Sequence, residues 1–494
     1  SDGSVVISAQ TNLTAAQGPA DTAAVTAVST GNVRLQARDG DLDIQGLING
    51  FDGHVTLLAG TDIELAGLSN VVSVIGSTSI YLDAGQDILM TDQATVRSLG
   101  AGTILFEADR DIELSRVTTG LSGSVGLRAG TGSISDVRAP ATDMNVTTTS
   151  LLLSAGDGIG AGVNPIEIDV DELTGSAAAG GVFLRESNTV AVTEVTLTVS
   201  PVALDATTSE GTAIERGQSD LRSTGGAVVL RAGSQVELLD GDVDGVAVAA
   251  SGAGHVLIQS DGASVLQQAD IDAGLGDVSV LAGVGVTQNA DILTLGGTLE
   301  VRAGSGNITM AATAGSQTDG GNIRYQAATS VALGLLDASN AGDQSTWGNR
   351  SITANTGSIT DADADGNDVI DILAQALRLT AGTEIATADR VLTTETALLS
   401  ALAGNGSMFL TDVSGVTVDL VAPVSVNRVA TDGNSAAHLE TGDADQSDLV
   451  TAGGNGAIVL RTLNGGDITL NEGGDDNDQA VAAHGSGNIR LEAA

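Results

Sequence analysis

Apolar and polar residues alternate in short bursts along the whole chain, and the bursts recur in a fixed order. Gly53 to Leu65 reads GHVTLLAGTDIEL, with Val55, Leu57 and Ala59 at alternate positions, a tight turn, then Ile63 and Leu65. The same unit returns as GNVRLQARDGDLDI from Gly31, SIYLDAGQDILM from Ser79 and GTILFEADRDIEL from Gly102. It returns again as GAVVLRAGSQVEL from Gly226, GTLEVRAGSGNITM from Gly297 and GAIVLRTLNGGDITL from Gly456. A period of two is the strand signal, because successive side chains of a strand point to opposite faces. No sustained 3.6 period with caps occurs, so no long helix is predicted.

The Ala that closes the first strand falls at Ala37, Ala59, Ala84, Ala108 and Ala129, and later at Ala282, Ala303 and Ala327, in steps of 21 to 25 residues. Two or three short strands per unit of about 22 residues make one coil of a β-solenoid, whose alternate apolar residues stack on the same position of the next coil. The predicted fold is a right-handed parallel β-solenoid of about 20 coils, which at the usual sheet spacing of about 4.8 Å gives a rod on the order of 100 Å long. The Gly after each Ala is expected to supply a positive φ at the corner. A hairpin-built β-sandwich array is the competing fold. Segments recurring in one order at one coil length favour parallel stacking instead.

A longer period lies above the first. GSVVISA at Gly3 answers to GAVVLRA at Gly226 and GAIVLRT at Gly456; TGSISD at Thr131 to TGSITD at Thr356; QSDL at Gln218 to QSDL at Gln446. Phe106 answers to Tyr325 and Phe183 to Phe409, and all offsets lie between 219 and 233. The chain therefore divides into superrepeats 1–225 and 226–455 and the start of a third at 456–494. The paired aromatics read as core fillers, with ligand platforms as the alternative. Strand motifs at both ends, with no visible cap, lead to the expectation that the coils continue, in the same polypeptide or in stacked subunits.

The GxVxLxAGxDIxL units, with the GSITD and LxLxAGxGI segments, resemble the haemagglutinin-repeat regions of filamentous-haemagglutinin-like giant adhesins. The resemblance covers most of the chain and is weakest at 187–225 and 413–450, where insertions blur the period. It implies a secreted or cell-surface bacterial fibre serving attachment, aggregation or biofilm, for which cell-surface glycans or neighbouring cells are the expected partners; end-to-end self-association is expected from the uncapped strand motifs.

Composition sharpens this picture. Aromatic residues number seven in 494, and the core alphabet is Val, Leu, Ile and Ala, which suits narrow stacked strands. Sixty-two acidic residues against 19 basic ones give a net charge of −43, and every basic residue is Arg. That charge argues against nucleic acid or an anionic membrane as partner. It suits salty, cation-rich water, with a biased genome composition as the alternative origin. Screening should relieve the mutual repulsion, so the melting temperature is expected to rise from low salt to high salt or calcium. Equal melting in all three media would refute the charge argument. There is no Cys, hence no disulfide or thiolate metal site, and no apolar run approaches the roughly 18 residues of a membrane span.

Candidate chemistry is sparse. Asp361, Asp363 and Asp365, followed by Gly366 and Asp368, have the spacing of the first half of a calcium loop, with Asp371 one place short of the usual twelfth-position ligand. A solvated acidic loop is the alternative reading. Asp136 to Asp143, the corresponding stretch of the first superrepeat, lacks the pattern. Glu472, Asp475, Asp476 and Asp478 form a second acidic cluster. His54, His255, His438 and His484 share no metal-ligand spacing, and the first two are read as turn residues after the Gly that opens a coil. A polysaccharide-binding or polysaccharide-degrading β-helix is the alternative function. It needs paired acids or a base in a groove with aromatic platforms, whereas this chain has no Lys and a single Trp, Trp347. The expectation is a structural protein, not an enzyme.

Overall fold

A computed structural model describes residues 3–18, 23–66, 72–138, 143–208, 213–363, 369–474 and 477–494. The chain is a parallel β-solenoid of about 16 turns. No α-helix occurs among the described residues, and no helix is long and apolar enough to cross a membrane. Two compact units are present, one made of 1–233 with 239–248, the other of 234–238 with 249–494.

In the first unit each coil contributes three short strands to three parallel ladders. The GxVxLxA strands form one, with Val33, Val55, Ile80, Ile104, Val125 and Leu151 in register. The same pairings stack Leu35, Leu57, Leu82, Phe106, Leu127 and Leu153, and then six alanines from Ala37 to Ala155. Leu42, Ile63, Ile88, Ile112, Ile134 and Ile159 line the second ladder. Ile48, Val72, Val96, Val117, Val146 and Ile168 line the third. These inward residues are buried, except that Ala59 is partly exposed. The second unit repeats the plan, with Val256, Val278, Leu299, Ile323, Arg350 and Leu377 in one column. Phe106 and Tyr325 both fill the core, as expected of paired aromatics, and the Tyr325 hydroxyl is satisfied inside it by Ser316 Oγ at 2.6 Å and Gln288 Oε1 at 2.7 Å. The other pair departs from the expectation, since Phe183 and Phe409 alternate with the inward residues of their strands and Phe409 is only half-buried.

The coil number falls short of the expected 20 for an identifiable reason. Each unit diverts chain into an antiparallel hairpin that lies back across earlier coils. In the first, Val195–Val199 pairs with Ile214–Gln218. In the second, Val426–Val429 pairs with Ser435–His438. These straps occupy the two stretches where the period blurs.

The motif strand also changes ladder within each unit. In the first, the ladder of Leu151 runs on through Leu173, and the same strand passes it to Leu221, while the ladder of Ile134 and Ile159 passes through Val182 to Val228 of GAVVLRA. In the second, Ile352, Leu379 and Ala401 lead to Leu449, while Ile359, Ile385 and Met408 lead to Ile458 of GAIVLRT. Each superrepeat thus ends by advancing the motif to the next face.

The Ala-Gly glycines are explained differently from the expectation. Gly60, Gly85, Gly233 and Gly404 are absent from the positive-φ glycines. A Cβ there would instead lie 2.2 to 2.5 Å from a backbone carbonyl oxygen of an earlier coil: Arg38, Gly60, Ser187 and Gly382 respectively. Glycine is needed because the coils approach too closely for a side chain, not because the corner is left-handed.

Candidate functional site

Each strap is pinned to the coils by its own set of contacts. The first is clamped by apolar contact: Val195, Leu197 and Val199 bury Tyr81, Leu105 and Leu152, which point outward from their ladder. Gly126 makes room, since a Cβ there would sit 2.7 Å from Leu197 Cδ2. Polar pins surround this patch. Ser200 N–H donates to Ser79 Oγ at 3.1 Å, Val202 N–H to Thr56 Oγ1 at 2.8 Å, and Arg216 Nε to Glu107 at 2.8 Å.

The second strap is held by charge. Glu300, fully buried, accepts from Arg428 Nε at 2.7 Å and from Arg324 Nη2 at 2.6 Å. Burial alone would raise its carboxyl, but the two guanidiniums outweigh that and hold it below the usual range. The repeated QSDL motif marks where each strap rejoins the coil. Gln218 Nε2 donates to Leu153 O and Gln446 Nε2 to Leu379 O, both at 3.0 Å.

Ser435, His255 and Asp277 meet under the second strap in a grouping that looks like a nucleophile with its base. The hydrogen bonds are wrong for that role. His255 Nδ1 accepts from Asp277 N–H at 2.9 Å, so Nε2 carries the proton and faces Ser435 Oγ at 3.3 Å as a donor. Ser435 gives its own hydrogen to Asp277 Oδ2 at 2.6 Å. The trio latches the strap, with His255 placed to donate to Ser435 and not to take its proton. His54 does similar work, its Nδ1 lying 2.7 Å from Ser79 Oγ, and burial lowers its pKa. A cleft of about 380 Å³ lies beside the first strap, lined by Tyr81, Asp83, Glu107, Arg128 and Ser154 among others. The Tyr81 ring is buried under the strap, and its hydroxyl donates to Glu107 at 3.0 Å, so it offers no open stacking platform.

Of the candidate calcium ligands, Asp361 and Asp371 are brought together at one corner of the second unit, both buried. Each carboxyl lies within the electrostatic reach of the other. Asp371 Oδ2 accepts from Thr393 N–H at 2.7 Å, and Asp361 Oδ1 from Asp363 N–H at 2.7 Å. Burial, with Asp361 and Asp363 close by, pushes the Asp371 carboxyl up to about 8. Asp365 and Asp368 lie outside the described residues, as do Asp475 and Asp476 of the other acidic cluster.

Two further carboxylate groups escaped the sequence reading. Asp240, Asp242 and Asp244, followed by Gly245, repeat the D-x-D-x-D-G spacing of 361–366, and buried Asp220 closes on Asp242 and Asp244. Arg222 already supplies a cation there, bonded to Asp220 at 2.6 Å and also to Asp244. Glu300, His438 and Glu440 converge as well, but beneath Arg324 and Arg428. The D-x-D-x-D-G spacing was a visible signal for the first group; the second joins residues more than a hundred positions apart and had none. No family model, curated protein or solved structure matches the chain.

Proposed function

We propose that this chain is a structural element, a length of the stalk of an extracellular bacterial fibre or adhesin that supports attachment, aggregation or biofilm. The observation that carries the reading is the in-register stacking. Within each unit, coil after coil is joined by three ladders of backbone hydrogen bonds around a continuous apolar column, and the same strap design recurs in both. Such an architecture transmits load along its ladders through many parallel bonds. Its strongest side-chain clusters, at Glu300 and beneath Leu197, hold the scaffold to itself. Placement outside the cell rests on the resemblance to giant adhesins, and continuation into a fibre on the strand motifs that recur in superrepeats. The alternative use as a polysaccharide-binding surface would employ the acidic cleft beside the first strap.

Single-molecule stretching between the two termini tests the reading. The expected trace shows discrete high-force releases as coils detach. A chain that extends smoothly at entropic forces, or one that binds a soluble polysaccharide tightly through Asp83 and Glu107, would overturn it.

A further inference from the structure

Asp136 closes the second-ladder strand of its coil at the place Asp361 takes in the second unit, after the matching TGSISD and TGSITD segments. Its Oδ1 accepts from Arg138 N–H at 2.8 Å and from Asn145 Nδ2 at 2.5 Å. Its Oδ2 is buried with no partner. Asn145, fully buried, reaches the next coil as well, its Oδ1 accepting from Glu167 N–H at 2.9 Å. The Glu167 side chain is 1% exposed, and both of its carboxylate oxygens are buried without a partner. The charge of Asp136 is felt at Glu167. Three buried carboxylate oxygens without a partner therefore belong to two neighbouring acids, the Asp136 carboxylate being tied through Asn145 to the Glu167 backbone. Arg138 is engaged with Asp143, and neither it nor Arg185, in register beside Glu167, donates to any of the three, although the charges of both work against burial and Asp136 at Glu167.

The second unit builds the same corner with one exchange. Asp371 stands where Asn145 stands: its N–H donates to Thr393 O at 2.8 Å and its Oδ2 accepts from Thr393 N–H, as Asn145 does with Glu167. Thr393 occupies the place of Glu167. The acid has moved from the neighbouring coil to the bridging position, and the corner keeps two carboxylates. An amide bridge alone would have sufficed to hold the coils together. Retaining two buried acids while relocating one is what a shared positive ligand requires.

We infer that Asp136 and Glu167 bind a hard divalent cation of the calcium type, and that Asp361 and Asp371 form its counterpart in the second unit. The donor set is all oxygen, which selects calcium or magnesium over softer metals, and the carboxylates would leave the remaining coordination positions to water. A cation removes the cost of two like charges held together in a buried corner, which the charges of Arg138 and Arg185 offset only in part. This inference does not depend on the stalk reading.

Calorimetric titration of the whole chain with calcium chloride, and separately with magnesium chloride, at physiological ionic strength tests it. The expected result is about two saturable sites, of which Glu167→Gln or Asp136→Asn removes one and Asp371→Asn the other. Asp371→Asn places the residue that the first unit already uses there, and Glu167→Gln keeps shape while removing charge, so both should fold. Melting supplies the second measurement. Without divalent cation Glu167→Gln should match or exceed the unaltered chain, and with calcium the unaltered chain should overtake it. If the variant is more stable by the same margin with and without calcium, the site holds a proton and not a metal. If binding is unsaturable and unchanged in all three variants, it is diffuse condensation on an acidic surface. Either result overturns the inference.

Discussion

Replacing Leu230 with Asp is expected to abolish the native packing of its coils, at a cost above about 5 kcal/mol. Leu230 is inaccessible to water and stacks directly on Leu184 of the preceding coil, itself 1% exposed. Burial of one such side chain is worth about 2 to 3 kcal/mol. The larger loss is the carboxylate, which would sit in an apolar column with no donor to meet it and must either stay charged at high cost or take up a proton. A solenoid coil touches only its neighbours, so the damage should be graded along the ladders. Hydrogen exchange read strand by strand is the suitable measurement. Protection should vanish at Val182, Leu184 and Val228 and persist in distant strands such as Val33–Ala37. Thr309→Asp, at an exposed outward position of strand Ile308–Met310, is the control and should cost less than about 0.5 kcal/mol. An unchanged exchange pattern in Leu230→Asp would mean that the column is not a continuous core.

The same column shows why the coils could be read in advance and the straps could not. Val55, Leu57 and Ala59 announce an inward face because a strand has a strict period of two, and the fixed spacing of the alanines implies parallel stacking. Val195, Leu197 and Val199 alternate just as cleanly. Alternation reports that one face is buried, not whether the partner runs parallel or antiparallel, and the hairpin spends its apolar face on the outside of the solenoid. The available signals were the loss of the 21-to-25-residue spacing and the repeated QSDL, whose Gln has the same carbonyl partner in both units. The advance of the motif to a new face was hidden for a related reason: a strand motif records which residues point inward but not which ladder the strand joins. The acidic corner divides in the same way. Asp361 and Asp371 stood out through local spacing, whereas Glu167, lying between Ile166 and Ile168, has the pattern of an ordinary outward residue and becomes notable only once it proves to be buried.

Arg350 supplies the second large effect, and its sign is opposite. It takes an inward position between Ile323 and Leu377, in a column otherwise aliphatic, and is fully buried. Its Nε donates to Leu336 O at 3.0 Å, while Nη1 and Nη2 have no partner. Burial lowers the guanidinium to about 9, with Asp337 and Tyr325 acting against that shift. Removing a buried charge that Asp337 offsets only in part, in favour of an apolar side chain of similar length, should stabilise the fold, so Arg350→Met is expected to gain about 1 to 3 kcal/mol after the loss of one hydrogen bond to Leu336 O. The pH dependence gives a second check. A base whose folded pKa is depressed binds fewer protons folded than unfolded, so the unaltered chain recovers stability as pH rises above about 9, and the advantage of Arg350→Met should shrink over that range. Denaturant unfolding at neutral pH and at alkaline pH measures both. If Arg350→Met is instead destabilised by more than about 1 kcal/mol at neutral pH, the guanidinium is satisfied within the core, by ordered water or an anion, and the column is polar by design at this one coil.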